Sequence, residues 1–156
     1  MNYSQGLKKN GGQVDAERSD SDNALEYEDG RNVSNFFSLG FDGWMTFEFE
    51  CPIANGEGND IKVIEDIWGR YPLEKAEVYI SEDGENWVYL GEADNTNAES
   101  IHTTNEFDLD GLMSVRYIKV VDTTDPAIHN GNADGYDFNA IQALQDCIGV
   151  VQEETA

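Results

Sequence analysis

Three loops of this chain concentrate side chains that could bind a calcium ion. Calcium takes about six to eight oxygen ligands from carboxylates, carbonyls and water. The candidates are Asp20, Asp22 and Asp29 in the first loop, Asn59 and Asp60 in the second, and Asp122, Asp125, Asp134 and Asp137 around the third. Four carboxylates that converge repel one another without a cation, so we predict Ca²⁺ there first. The alternative for each residue singly is a turn role, because Asp and Asn side chains hydrogen-bond their own backbone.

A second group of side chains could bind a carbohydrate. Residues 68–72 read Trp-Gly-Arg-Tyr-Pro, a segment in which no strand pattern requires a buried side chain. Aromatic rings offer flat apolar faces to the C–H face of a sugar, and arginine adds directed hydrogen-bond donors. The predicted ligand-binding residues are Trp68, Arg70, Tyr71, Trp44 and Tyr136. The alternative for Trp68 is a plug at one end of the core, and we assign Trp87 to the core because the residues around it alternate.

No pattern in the sequence indicates catalysis. The two histidines, His102 and His129, lie in polar surroundings, and no G-x-S-x-G motif is present. With 32 acidic residues, two carboxylates at a glycosidase spacing would arise by chance. The glycine-rich residues 55–59 lead into a strand and not a helix, which argues against a phosphate-binding loop. We therefore predict a protein that is not an enzyme.

The charge balance excludes two classes of partner. The chain has 9 basic and 32 acidic residues, a formal net charge of −23. A field of that sign repels nucleic-acid phosphates and anionic lipids. Bound divalent cations, high-salt surroundings or solubility could each account for the charge. No apolar run approaches the roughly 20 residues of a membrane-spanning helix.

The distribution of hydrophobic residues predicts one all-β domain. Short runs of β-branched and aromatic residues alternate with Gly, Asn and Asp clusters, a pattern typical of a sandwich or barrel. The predicted strands are 36–39, 44–51, 60–66, 76–81, 87–92, 101–109, 116–122 and 138–144. We expect a hairpin turn at Asp83-Gly84 and a helical turn at Ser21–Leu25 capped by Ser19 or Ser21. The domain is expected to cover residues 1–147, with 148–156 a polar linker or tail.

The two cysteines, Cys51 and Cys147, each lie at the end of a predicted strand. They form no C-x-x-C pair and have no histidine at a zinc-like spacing. A disulfide would form if these two strand ends meet, and it would close a long loop. Two free buried thiols are the alternative.

Three blocks of residues carry a resemblance to a known family. The first is Ser-Asp-Ser-Asp-Asn-Ala-Leu at 19–25 with Asp29-Gly30, followed by Phe-Ser-Leu-Gly at 37–40 and the strand 45–49. The second is Ser-x-Asp-Gly-x-x-Trp at 81–87, and the third is Arg-Tyr-Ile-Lys-Val-Val-Asp at 116–122 with Gly-Tyr-Asp-Phe-Asn-Ala-Ile at 135–141. Their order over about residues 4 to 145 resembles galactose-binding-like jelly rolls, such as discoidin domains and carbohydrate-binding modules. The variant with residues 55–65 and 122–126 resembles a domain of bacterial cell-surface and secreted proteins.

The resemblance implies an antiparallel jelly-roll sandwich with an extracellular or cell-surface role. Discoidin-type modules often supply a Glu from the last strand to a structural calcium, but Gln142 stands in that region here. Two hypotheses follow: a non-catalytic module that binds carbohydrate or a surface ligand, or a structural subunit of a surface layer, filament or virion. The polar start has no export signal and the tail reads as a linker, which suits a module cut from a longer chain. The initial Met1 suits a stand-alone subunit.

Overall fold

The chain folds into two antiparallel five-stranded sheets, as a computed structural model of residues 2–27, 35–67, 71–96, 98–99 and 102–148 shows. The strands are β1 (Asn2–Ser4), β2 (Phe37–Ser38), β3 (Trp44–Ala54), β4 (Ile61–Asp66), β5 (Lys75–Ser81), β6 (Val88–Asp94), β7 (Ala98–Glu99), β8 (His102–Phe107), β9 (Ser114–Asp122) and β10 (Asp137–Ala143). The first sheet has the order β1-β3-β9-β5-β6, and the second has the order β2-β10-β4-β8-β7. The predicted all-β sandwich is confirmed.

Eight of these strands coincide with the eight predicted ones, within a few residues at each end. The two that the sequence missed, β1 and β7, are short edge strands of three and two residues. Runs of that length are too short for alternation to be recognised.

Alternating burial explains how the sheets form one core. Ala76, Val78 and Ile80 on β5 are fully buried, and the residues between them face outward. Met45 on β3 and Val120 on β9 pair across the sheet and are also fully buried. The inward side chains of the first sheet therefore pack against those of the second, and burial of their apolar surface stabilises the fold.

The strand β4 departs from this alternation. Its apolar residues Ile61, Val63 and Ile64 are buried, and so are the two acidic residues that follow them, Glu65 and Asp66. This strand pairs with β10 on one side and β8 on the other, so it lies in the middle of its sheet. A central strand thus carries two carboxyl groups into the interior.

The predicted turns occur, with two differences in detail. Gly84 has a φ of +80°, as expected, but the loop around it spans residues 82–87 and is organised by Asp83, whose carboxylate accepts from the amides of Glu85 and Asn86 at 2.8 Å. A 3₁₀ turn forms at Ser21–Ala24. Its cap is Asp20 and not a serine, because the Asp20 carboxylate accepts from the Asp22 amide at 3.1 Å. Two more 3₁₀ turns form at Ala16–Arg18 and Pro126–Ile128.

The end of the described chain is fastened to β3. Cys51 and Cys147 are paired, with their Cα atoms 5.7 Å apart, so the two segments meet, although β3 continues past Cys51 to Ala54. The Ala54 amide donates to the Asp146 carbonyl at 3.2 Å, and the Ile148 amide donates to the Pro52 carbonyl at 2.7 Å. The predicted tail falls mostly on residues 149–156, which lie outside the described residues.

One core assignment was wrong. Trp87 is half-buried and precedes β6, because the longer hairpin loop carries it away from the alternating strand. None of the helical segments within the described ranges has the length and apolar character needed to cross a membrane.

Candidate functional site

A cavity of about 400 Å³ opens at one end of the sandwich. It forms where three segments come together: the 3₁₀ turn Ala16–Arg18, the connection from β4 to β5, and the connection from β9 to β10. The lining residues are Arg18, Ile67, Tyr71, Glu74, Asn130, Asn132 and Asp137. Charged, amide and aromatic side chains therefore converge on one concave surface, as in a small-molecule site.

Arg18 is the cation among the described residues that line the cavity. Its Nη1 atom donates to Asp134 Oδ2 at 2.5 Å, and its Nη2 atom donates to Asp137 Oδ2 at 3.3 Å. The guanidinium carbon lies 4.9 Å from the centre of the Phe36 ring, which holds the side chain from a second direction. Asp134 and Asp137 are only 2% and 4% exposed, so Arg18 supplies the charge that compensates two buried carboxylates.

Burial and the neighbouring Asp134 raise the pKa of Asp137 well above its usual range, and Arg18 opposes this shift. The Ser38 hydroxyl also donates to Asp137, at 2.5 Å. Three elements therefore meet at Asp137: the 3₁₀ turn that contains Arg18, the strand β2, and the start of β10.

Two further carboxyl groups belong to this region: Glu74 lines the cavity, and Glu65 lies next to Glu74. Glu65 is fully buried and Glu74 is 2% exposed, and the two side chains hydrogen-bond to each other. Burial raises the pKa of both groups well above the usual value, so this pair binds a proton more readily than exposed carboxyl groups do. The Thr103 hydroxyl donates to Glu65 Oε2 at 3.1 Å, whereas Glu74 reaches the cavity.

Tyr71 provides an aromatic ring at the mouth of the cavity. It is 38% exposed, and its ring centroid lies 5.6 Å from that of His129. Burial, followed by the negative charge of Glu74, raises the pKa of Tyr71 to about 12, so its hydroxyl stays protonated at neutral pH and can donate. The loop of Asn130 and Asn132 also lines the cavity, and it is ordered by a hydrogen bond from the Asn132 amide to Asn130 Oδ1 at 3.0 Å.

The structure separates the five predicted ligand-binding residues. Tyr71 lines the cavity. Trp68 and Arg70 lie outside the described residues. Trp44 is on β3, where the Lys119 ammonium group sits 4.8 Å from its ring centre, and it does not line the cavity. The prediction for Tyr136 was wrong, because this side chain is fully buried in the core and cannot stack on a ligand.

The four calcium ligands predicted around the third loop do not converge on one point. Asp122 is buried and accepts from the Tyr136 amide at 2.9 Å and the Thr124 hydroxyl at 2.8 Å. Asp125 caps a 3₁₀ turn through the Ala127 amide, and Asp134 and Asp137 face Arg18. The expectation of four converging carboxylates was therefore wrong, because backbone amides and one arginine take the places that a cation would fill.

The remaining predicted calcium ligands also have protein partners or lie apart. Asp60 is fully buried and accepts from the amides of Gly56 and Leu109, both at 2.8 Å. Asn59 donates to Glu106 at 3.3 Å, Asp22 is exposed, and Asp29 lies outside the described residues. In the described part of the chain, no three Asp, Glu, His or Cys side chains are placed to hold a metal ion. These residues do not fit a calcium site, and calcium binding itself stays a prediction.

The sequence reasoning missed the residues that shape the cavity: Arg18, Glu65, Glu74, Asn130 and Asn132. One feature of the sequence could have indicated part of the cavity. The strand β4 reads Ile-Lys-Val-Ile-Glu-Asp, and two acidic residues that directly continue an apolar central strand are expected to be buried near its end.

A buried histidine and aspartate lie on the neighbouring strands. His102 Nδ1 is 2.7 Å from Asp66 Oδ1, and Asn139 Nδ2 donates to the same oxygen at 2.8 Å. The three side chains come from β8, β4 and β10, so the contact links adjacent strands of the second sheet. We assign this group to the stability of the sheet.

Solved structures with a similar fold include proteins that contain carbohydrate-binding modules. The chain is similar to truncated AlyQ, which has carbohydrate-binding module family 32 and alginate lyase domains, with a TM-score of 0.52, 13% identity, and coverage of 80% of this chain and 29% of that one. It is also similar to CpGH89 from Clostridium perfringens in complex with its substrate GlcNAc-alpha-1,4-galactose, with a TM-score of 0.50, 16% identity, and coverage of 94% and 14%. The C-terminal domain of a chitobiase from Bacteroides fragilis aligns with a TM-score of 0.48, 18% identity, and coverage of 68% and 64%.

The chain thus spans less than two thirds of the length of each of these three structures. No family model and no curated protein matches its sequence. The two similarities with a TM-score of 0.50 or more concern the fold alone, and they agree with the predicted antiparallel β-sandwich.

Proposed function

We propose that this chain is a non-catalytic, extracellular carbohydrate-binding module that takes a sugar into the cavity between Arg18, Tyr71 and Glu74. The observation that supports it best is the convergence of one exposed aromatic ring, two amide side chains and hydrogen-bonding charged groups on a single cavity. Its volume of about 400 Å³ lies in the range of small-molecule sites.

Each wall of the cavity has a role in this proposal. The Tyr71 ring packs on the C–H face of the sugar, and Asn130 and Asn132 exchange hydrogen bonds with its hydroxyl groups. Arg18 is held by two buried carboxylates, so it is pre-organised and costs little side-chain entropy on binding. The sandwich fold of carbohydrate-binding proteins supports the same assignment by analogy.

An extracellular role agrees with the Cys51–Cys147 pairing, because disulfides persist in oxidising compartments. It also agrees with the acidic surface, which favours solubility.

A glycan array, followed by titration calorimetry with the best ligand, tests the function. We expect Tyr71→Ala to weaken binding at least tenfold while the melting temperature changes little, because the ring is partly exposed. The matched control is Tyr89→Ala, which removes a ring that is 55% exposed on β6. Equal binding by the Tyr71 variant and the wild type would place the sugar elsewhere, and an array without a bound glycan would refute the function.

A further inference from the structure

The cavity has an excess of negative charge on its walls and behind them. Among the lining residues that the structure describes, Arg18 is the cation, and it already faces Asp134 and Asp137. Glu74 adds a third carboxyl group at the cavity, and Glu65 adds a fourth next to Glu74. A cavity with this balance favours a ligand that brings a positive charge.

Glu74 is the group that a cationic ligand would meet. The residue is only 2% exposed, and its buried Oε1 atom has no hydrogen-bond donor among the described residues. A buried carboxyl that reaches a cavity has given up its hydration, so a donor with full charge gains more there than at an exposed site. The two Arg18 N–H groups with identified acceptors point at Asp134 and Asp137 and not at Glu74.

We propose that the cavity selects a sugar with a protonated amine, an amino sugar, whose ammonium group binds the Glu74 carboxylate. This inference rests on the proposed function and specifies its ligand class. The ammonium group replaces the proton that Glu74 shares with Glu65, and that proton leaves to solvent, so the charge behind the cavity wall is conserved. The charged and titratable groups around Glu74 in this exchange are Glu65, Asp134, Asp137, Arg18, Tyr71 and Tyr136.

Two other ligand classes fit the same walls less well. An acidic sugar would need a cation, and the one that the described lining residues offer, the guanidinium of Arg18, already faces two carboxylates. A bare divalent metal would need at least three ligand side chains in reach of one point, and the described residues provide no such group. A single ammonium group needs only one carboxylate and hydrogen-bond acceptors beside it.

Calorimetry with glucosamine and N-acetylglucosamine tests the proposal, because the two sugars differ in charge at one position. At about pH 6 the free amine is protonated. We expect glucosamine to bind at least tenfold more tightly than N-acetylglucosamine, and the advantage to shrink as NaCl is raised. Titrations in two buffers with different ionisation enthalpies should reveal about one proton released per glucosamine bound.

Glu74→Gln is the decisive variant. The Gln amide can donate to Glu65 as the protonated Glu74 does, so the fold should be retained, and the preference for glucosamine should disappear. Glu85→Gln is the control, with the same charge change in the exposed hairpin loop, and should keep the preference. Equal or tighter binding of N-acetylglucosamine, or a preference that survives Glu74→Gln, would overturn the amine proposal and leave the proposed function intact. Failure of both sugars and of every glycan on the array would refute the proposed function itself.

Discussion

Removal of the Arg18 side-chain charge should destabilise the protein far more than removal of an exposed arginine. In Arg18→Met the apolar stem is retained, while Asp134 and Asp137 lose the cation that lies 2.5 and 3.3 Å away. Both carboxylates are almost fully buried, so neither can be solvated without rearrangement. Breaking a buried pair of this kind costs about 3–5 kcal/mol.

Urea denaturation of the wild type, Arg18→Met and Arg116→Met measures the difference. Arg116 pairs with Glu48 at 3.1 Å, but both side chains are well exposed, and such pairs contribute less than about 1 kcal/mol. The deficit of Arg18→Met should also shrink as the pH falls, because Arg18 lowers the pKa of both aspartates and its loss lets them protonate more easily.

A second variant separates charge from packing. Asp134→Asn in the Arg18→Met background removes one of the two unpaired carboxylates, so part of the lost stability should return. We expect Arg18→Met to be clearly less stable than Arg116→Met. If their free energies of unfolding agree within about 0.5 kcal/mol, Arg18 does not stabilise the two buried carboxylates as argued.

Three further predictions concern the whole fold. Burial raises the pKa of Asp122 from 3.8 to about 6, so the stability that its protonated form contributes is present at low pH and lost as the pH rises through 6. The free energy of unfolding should therefore be about 1 kcal/mol or more higher at pH 5 than at pH 7, and equal values at the two pH values would contradict this. Thiol counting under denaturing, non-reducing conditions should find no free thiol, and reduction should cost up to about 4–5 kcal/mol, since Cys51 and Cys147 are 96 residues apart. If calcium binds the native state, added calcium should raise the melting temperature, and an identical value with chelator would remove that prediction.

The sequence predicted the sheets well because the strands that matter are long and alternate. The strand β3 has 11 residues and β9 has 9, and each presents buried residues to one side. The edge strands β1 and β7 were not predicted, because they are strands by virtue of pairing with a neighbouring strand and not by an alternating sequence pattern. Asn2–Ser4 is exposed at every position, and its register with β3 makes it a strand.

The candidate site could not be predicted in the same way, since its residues are far apart in the chain. Arg18, Glu74 and Asp137 meet only because β10 lies between β2 and β4 in the second sheet. Nothing local in the sequence fixes that order. The carboxylates were visible, but whether a carboxylate faces a metal, an arginine or a backbone amide depends on partners from other segments. Asp137, for example, lies 119 residues from the arginine that compensates it.

Both ends of the described chain are anchored on one strand, and this determines how a pulling force would pass through the domain. The first strand pairs with β3 at Thr46, and Cys147 is fastened to β3 at Cys51, roughly 17 Å further along at about 3.4 Å per residue. Tension applied through residues 2 and 148 would therefore load β3 in shear over a short stretch. The β4–β5 connection and β10, which carry Glu74 and Asp137, would lie outside the line of force. The cavity would therefore keep its shape under a load that strains β3.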